Sequence, residues 1–169
     1  MAIIRCTKKL LSELKKKPEE CPEQKSDLSG WHANLIQIDQ RKCVLFTHDT
    51  TLYSFLVPGL TKPDFLSIND VFGQHLFKNL LRDDIPQELI EIFLYDIQNI
   101  CFGKTNNRSV LGSMTDLSWQ LKTMISLRGG LAHTDIMRLN YDLNRIPMSA
   151  IEKTFSIDEL RSLLEKWNR

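Results

Sequence analysis

Trp31-His-Ala-Asn-Leu-Ile-Gln-Ile38, Cys43-Val-Leu-Phe-Thr47 and Leu52-Tyr-Ser-Phe-Leu-Val57 follow one another closely. Only Asp39-Gln-Arg-Lys42 and His48-Asp-Thr-Thr51 part them. Val, Ile, Phe, Tyr and Thr favour the pleated, half-buried surface of a strand, and such short polar breaks return the chain antiparallel to itself. The spacing therefore predicts a three-stranded meander over 31–57, closed by Pro58-Gly59. Its two later segments are apolar on both faces, as strands in the middle of a covered sheet are.

Outward from the meander, residues 2–6 alternate weakly and read as a further strand. Thr7 then caps a helix with Leu10, Leu11 and Leu14 on one face, stopped by Pro18. Residues 17–30 hold two prolines, many charges and few aliphatics, and read as an exposed loop. Ile68, Phe72, Leu76 and Leu80 repeat at helical spacing, and Asp84-Ile85-Pro86 opens a second helix carrying Leu89 and Phe93. Ile100-Cys101-Phe102 before Gly103 reads as another strand.

A helix from about Ser109 to Arg128 carries Leu111, Met114, Leu117 and Leu121 and stops at Gly129-Gly130. Thr134 caps a shorter helix with Ile136, Leu139 and Leu143, ended by Pro147. Ser156 and Glu159 form a capping box before Ile157, Leu160, Leu164 and Trp167. The expected architecture is one α+β domain over residues 1–169. Its sheet is mostly antiparallel, the meander plus one or two further strands at either side, and it is packed with about five or six helices.

Hydrophobic residues make up 42% and charged residues 25%, an ordinary globular mix. Net charge is +1, so no global field favours nucleic acid, acidic substrates or anionic membranes, and any such binding must be local. The start lacks an export signal and no run is apolar enough for a membrane span, so the expected location is the cytosol. Cys6, Cys21, Cys43 and Cys101 are scattered without a C-x-x-C pair, which disfavours zinc and, in a reducing compartment, predicts free buried thiols. The Asn107-Arg108-Ser109 sequon is then without a glycosylating compartment.

Gly103-Lys104-Thr105 resembles the end of a phosphate-binding loop, but Gln98 stands where that motif needs its first glycine. His32, His48, His75 and His133 have no metal-ligand spacing, so no metal or cofactor is predicted. His48-Asp49 fits hairpin-turn chemistry and His133-Thr134-Asp135 fits a helix cap. No serine sits in a G-x-S-x-G elbow and no cysteine neighbours a histidine, so no nucleophile stands out.

What remains is a polar strip formed by Lys104, Asn107, Arg108, Ser109, Ser113, Asp116 and Gln120. Basic side chains and free N–H groups at a helix start can hold an anion, and Asp116 can orient a hydroxyl or pair with Arg108. The plainer reading is that every amphipathic helix shows water a polar face. Lys8, Lys9, Lys15, Lys16 and Lys17 with Arg41, Lys42, Lys104 and Arg108 make a basic face only if the fold gathers them, and Glu13, Glu19 and Glu20 dilute it.

Ile4-Arg-Cys-Thr-Lys-Lys-Leu-Leu11, Trp31-His-Ala-Asn-Leu35, Arg41-Lys-Cys-Val-Leu-Phe-Thr47 and Leu52-Tyr-Ser-Phe55 occur in this order. They are followed by Asn107-Arg-Ser-Val-Leu-Gly-Ser-Met-Thr-Asp116 and Leu143-Asn-Arg-Ile-Pro-Met-Ser-Ala150. The set resembles a bacterial family known as a domain of unknown function, and it spans nearly the whole chain. The resemblance implies that the 107–116 segment is typical of the group, with Asn common where this chain has Thr115. It implies no activity. The residues therefore favour a non-enzymatic module binding a protein or a small anionic ligand. A small enzyme acting on a phosphate-bearing or nucleic-acid substrate, and nucleic-acid binding without catalysis, are the alternatives.

Overall fold

The computed structural model describes residues 1–168. Its order is β1 (Ala2–Cys6), α1 (Lys8–Leu14), β2 (Gly30–Ile38), β3 (Arg41–His48), β4 (Ser54–Val57), α2 (Lys62–Leu66), α3 (Ile68–Arg82) and α4 (Gln87–Asp96). It continues with β5 (Ile100–Lys104), α5 (Arg108–Leu127), a 3-10 turn at Leu131–His133, α6 (Ile136–Leu143) and α7 (Ser156–Trp167). The meander lies where the sequence places it, β2 antiparallel to β3 and β3 to β4. Asp39 and Gln40 join the first pair at φ 49° and 63°, the twist a two-residue hairpin needs.

The sheet is mixed rather than mostly antiparallel. Its order is β4-β3-β2-β1-β5, with β1 parallel to both neighbours, and both outer additions lie on the β2 side of the meander instead of flanking it. The cause is the connections: α1 and the following loop carry the chain from β1 to β2, and three helices carry it from β4 to β5. Crossovers of that length deliver parallel strands. Seven α-helices form among the described residues, one more than the sequence reading resolves. The addition is α2, where the Thr61 main-chain N–H donates to Asp64 Oδ2 at 2.7 Å and Pro63 enters the first turn.

Strand alternation divides the helices into two layers. Ile4, Trp31, Phe46 and Phe55 pack with Leu10, Phe72, Leu76, Phe93 and Leu160, so α1, α3, α4 and α7 cover one face. Ile36, Cys43, Leu45 and Leu56 pack with Met114, Leu117, Leu121, Leu139 and Leu143 of α5 and α6 on the other. Full burial of each such side chain contributes about 2 kcal/mol.

Neither α5 nor α6 reaches over β1 and β5. There the 17–29 segment does the covering, and the expectation of four free thiols fails: Cys21 and Cys101 form a disulfide across 80 residues, with Cα atoms 5.8 Å apart. Their separation in sequence conceals that the segment runs back beside β5, where Glu19 N–H donates to Phe102 O at 2.7 Å. Cys6 and Cys43 are free and buried, as expected. Most of residues 17–27 lie at the surface, while Leu28, Ser29 and Gly30 are buried. No helix among the described residues is long and apolar enough to cross a membrane.

Candidate functional site

Because β1 and β5 are parallel neighbours, with Cys6 opposite Lys104, their carboxyl ends open side by side. In sheets with parallel strands that rim is where ligands are commonly received. Here the chain leaves β1 through Thr7, whose hydroxyl accepts from Leu10 N–H and caps α1, so Lys8, Leu11 and Ser12 come to share the helix face at the rim. At the end of α1, Lys15 takes a left-handed conformation, φ 53°, and Lys16 N–H returns to Leu11 O. Lys16 then lies with Nζ 4.8 Å from the centre of the Phe102 ring, a cation–π contact.

The result is a cavity of about 460 Å³ lined by Cys6, Lys8, Leu11, Ser12, Lys16, Pro18, Lys104 and Thr105. Three of these eight residues are lysines and none is acidic. Among the described residues no carboxylate lies within ion-pair distance of the three ammonium groups; Glu13 of α1 is turned to Lys42 at 2.7 Å. Like charges around one concave space repel, and an anion in it removes that repulsion. Ser12 and Thr105 add hydroxyl donors, and Leu11 and Pro18 add an apolar wall. The Cys6 thiol beside them is no nucleophile, since burial pushes it up to about 12.

The polar strip singled out in the sequence does not come together in one place. Lys104 belongs to the basic cavity. Asn107 caps α5 instead, its side-chain oxygen accepting from Ser109 N–H at 3.0 Å and Val110 N–H at 3.1 Å, so these helix-start donors are already occupied. Arg108 and Ser109 are exposed on the first turn. Ser113, Asp116 and Gln120 lie further along, lining a recess of about 100 Å³ with Pro147, Met148, Ser149 and Ala150. That recess joins two of the family-like motifs, but it is too small for more than a few atoms.

Behind the cavity wall lies a cluster that the sequence reading missed. Arg5 Nη1 donates to Asp49 Oδ2 at 2.8 Å, Asp49 Oδ1 meets His32 Nδ1 at 2.6 Å, and His32 Nε2 accepts from Asn106 N–H at 3.4 Å. These partners put the imidazole proton on Nδ1. The order carboxylate, imidazole is that of a general base, but the far nitrogen meets a main-chain N–H rather than a nucleophile, and the His32 side chain is fully buried. Its effect is to tie the loop after β5, which follows Lys104 and carries Thr105, to the sheet. Arg5 and His32 point to the same face of adjacent strands, a pairing that needs the β1–β2 register and so was invisible in the sequence. Among the described residues no three His, Cys, Asp or Glu side chains gather as a metal-ligand set.

A family model, that of a domain of unknown function (DUF6933), matches residues 3–159 and so takes in every residue of the cavity and of the cluster behind it. No curated protein and no solved structure matches the chain.

Proposed function

The chain belongs to the DUF6933 family, and from the three-lysine cavity we propose that it is a binding module for a small polyanionic ligand carrying phosphate or carboxylate groups. The observation that carries this reading is the convergence of Lys8 and Lys16, from the two ends of α1, with Lys104 of β5 on one concave space whose lining holds no acid. Binding is favoured over catalysis because the lining offers no carboxylate or imidazole as acid or base. A small ligand is favoured over nucleic acid because the lysines surround a cavity instead of forming a stripe, and the net charge is only +1.

Calorimetric titration with inorganic pyrophosphate and with succinate is the test, the two arms separating phosphate from carboxylate recognition. Saturable binding of one is expected. Charge-assisted hydrogen bonds contribute about 1.5–3 kcal/mol each, so Lys8→Ala and Lys104→Ala each weaken it by roughly tenfold or more. Absence of saturable binding to either anion, or equal affinity in the Lys8→Ala/Lys104→Ala protein, overturns the reading.

A further inference from the structure

We propose that the Cys21–Cys101 disulfide is a redox latch on the basic cavity, holding the wall that carries Pro18 in its binding-competent position and releasing it on reduction. This rests on the cavity being the anion site proposed above.

The wall and the disulfide belong to one short stretch of chain. Lys16 and Pro18 line the cavity, Glu19 N–H donates to Phe102 O, and Cys21 is bonded to Cys101 next to Phe102. Glu19 Oε1 also accepts from Phe102 N–H at 3.2 Å. Residues 18–21 are thus fastened beside β5, the last strand of the sheet, by two hydrogen bonds and one covalent link. β5 is shaped for that link: a Cβ at Gly103 would stand 3.2 Å from Cys21 Sγ, tighter than ordinary contact. Lys16 is held independently through the end of α1, so opening the disulfide moves the Pro18 wall more than the lysine.

Access is asymmetric. Cys21 is half-buried while Cys101 is only 6% exposed, so the Cys21 sulfur is the one an external thiolate reaches. In the step, one thiolate of a dithiol reductant attacks Cys21 Sγ, the S–S bond breaks, and Cys101 leaves as thiolate. The second thiol of the reductant displaces Cys21 and closes its own disulfide. Two electrons and two protons pass from reductant to protein, leaving both cysteines as thiols. Cys6 and Cys43 do not intercept the exchange, since both are buried and Cys6 faces the opposite core.

The experiment uses the full chain with inorganic pyrophosphate as probe, oxidised and after treatment with dithiothreitol, with alkylation and mass spectrometry reporting the thiols. Both cysteines are expected to resist alkylation before treatment and accept it afterwards, with affinity falling about five- to tenfold on reduction. Cys21→Ser/Cys101→Ser is expected to bind like the reduced protein and to ignore dithiothreitol. Equal affinity in the two redox states, or alkylation of Cys21 and Cys101 in the air-oxidised protein, overturns the latch while leaving the anion site standing. If the oxidised protein binds neither pyrophosphate nor succinate saturably, the site reading fails instead. Hydrogen exchange then decides the latch alone: faster exchange at Glu19 and Phe102 on reduction supports it, and unchanged exchange sinks it.

Discussion

His48 sits wholly inside the protein, its Nε2 3.3 Å from Leu28 O and its Nδ1 accepting from Thr51 N–H, with the Trp31 ring centre 4.9 Å away. Burial pushes its pKa down to about 4, against the opposing pull of Asp49 and the Leu28 carbonyl. A histidine depressed in the folded state takes up its proton more readily when unfolded, so the stability it allows is complete above about 6.5 and is lost as pH falls toward 4. The span corresponds to a loss on the order of 3 kcal/mol. Urea melts between pH 7 and 4 are expected to show this decline, and His48→Gln to flatten it by about one proton; an unchanged slope in the variant would refute the assignment. Gly30 offers a second residue-scale test. A Cβ there would lie 2.7 Å from Asp49 Oδ2 and also meet Gln24 Oε1, so Gly30→Ala must displace the carboxylate that holds Arg5 and His32. The expected cost is about 1–3 kcal/mol by denaturant melt, with weaker pyrophosphate binding because the loop that follows Lys104 and carries Thr105 loosens.

At the scale of elements, α6 completes the sheet. Asn140 and Asn144, one turn apart on that helix, each bond main-chain groups of β4: Leu56 N–H donates to Asn140 Oδ1 at 2.8 Å and Asn140 Nδ2 to Leu56 O at 3.1 Å. Asn144 makes the same pair with Ser54 at 2.8 and 2.7 Å. The two amides thus continue the hydrogen-bond ladder and close an edge that is otherwise a template for aggregation. Asn140→Ala strands a buried N–H and a buried C=O and is expected to cost about 2–4 kcal/mol by urea melt; a loss below 1 kcal/mol would mean that water replaces the amide. The sequence displays the helical period around Leu139 and Leu143 but not this use of its asparagines. The same boundary runs through the whole fold. Local patterns such as the β-rich segments and short polar breaks of 31–57 and the helical period of Ile68, Phe72, Leu76 and Leu80 are legible because neighbouring residues make them. The parallel pairing of β1, the Cys21–Cys101 bond and the Arg5–Asp49–His32 cluster depend on contacts between distant segments, which no local pattern reports. Of the candidate site, Lys104 was legible from its place before a helix, whereas Lys8 and Lys16 could be joined to it only by the register of β1 against β5.

For the molecule as a whole, near neutrality and a local concentration of positive charge coexist, and their combination has a measurable consequence. With a net charge of +1 the protein has little long-range attraction for anions, so stabilisation by an anion must come from a local site, which the proposed reading puts at the cavity. A ligand that binds only the folded state adds RT ln(1 + [L]/Kd), about 2.7 kcal/mol at a hundredfold excess over Kd. For a chain of this length that is a rise in Tm of roughly 5–10 °C. Thermal melts of the oxidised protein in increasing pyrophosphate are expected to show such a rise. Because the Debye length shrinks to about 3 Å in 1 M salt, sodium chloride at that concentration should suppress much of it. Lys8→Ala/Lys104→Ala, altering exposed side chains, should leave the ligand-free Tm within a few degrees and abolish most of the rise. If the variant is stabilised as much as the parent, the anion acts elsewhere on the surface and the three lysines at the β1–β5 rim are a coincidence of folding.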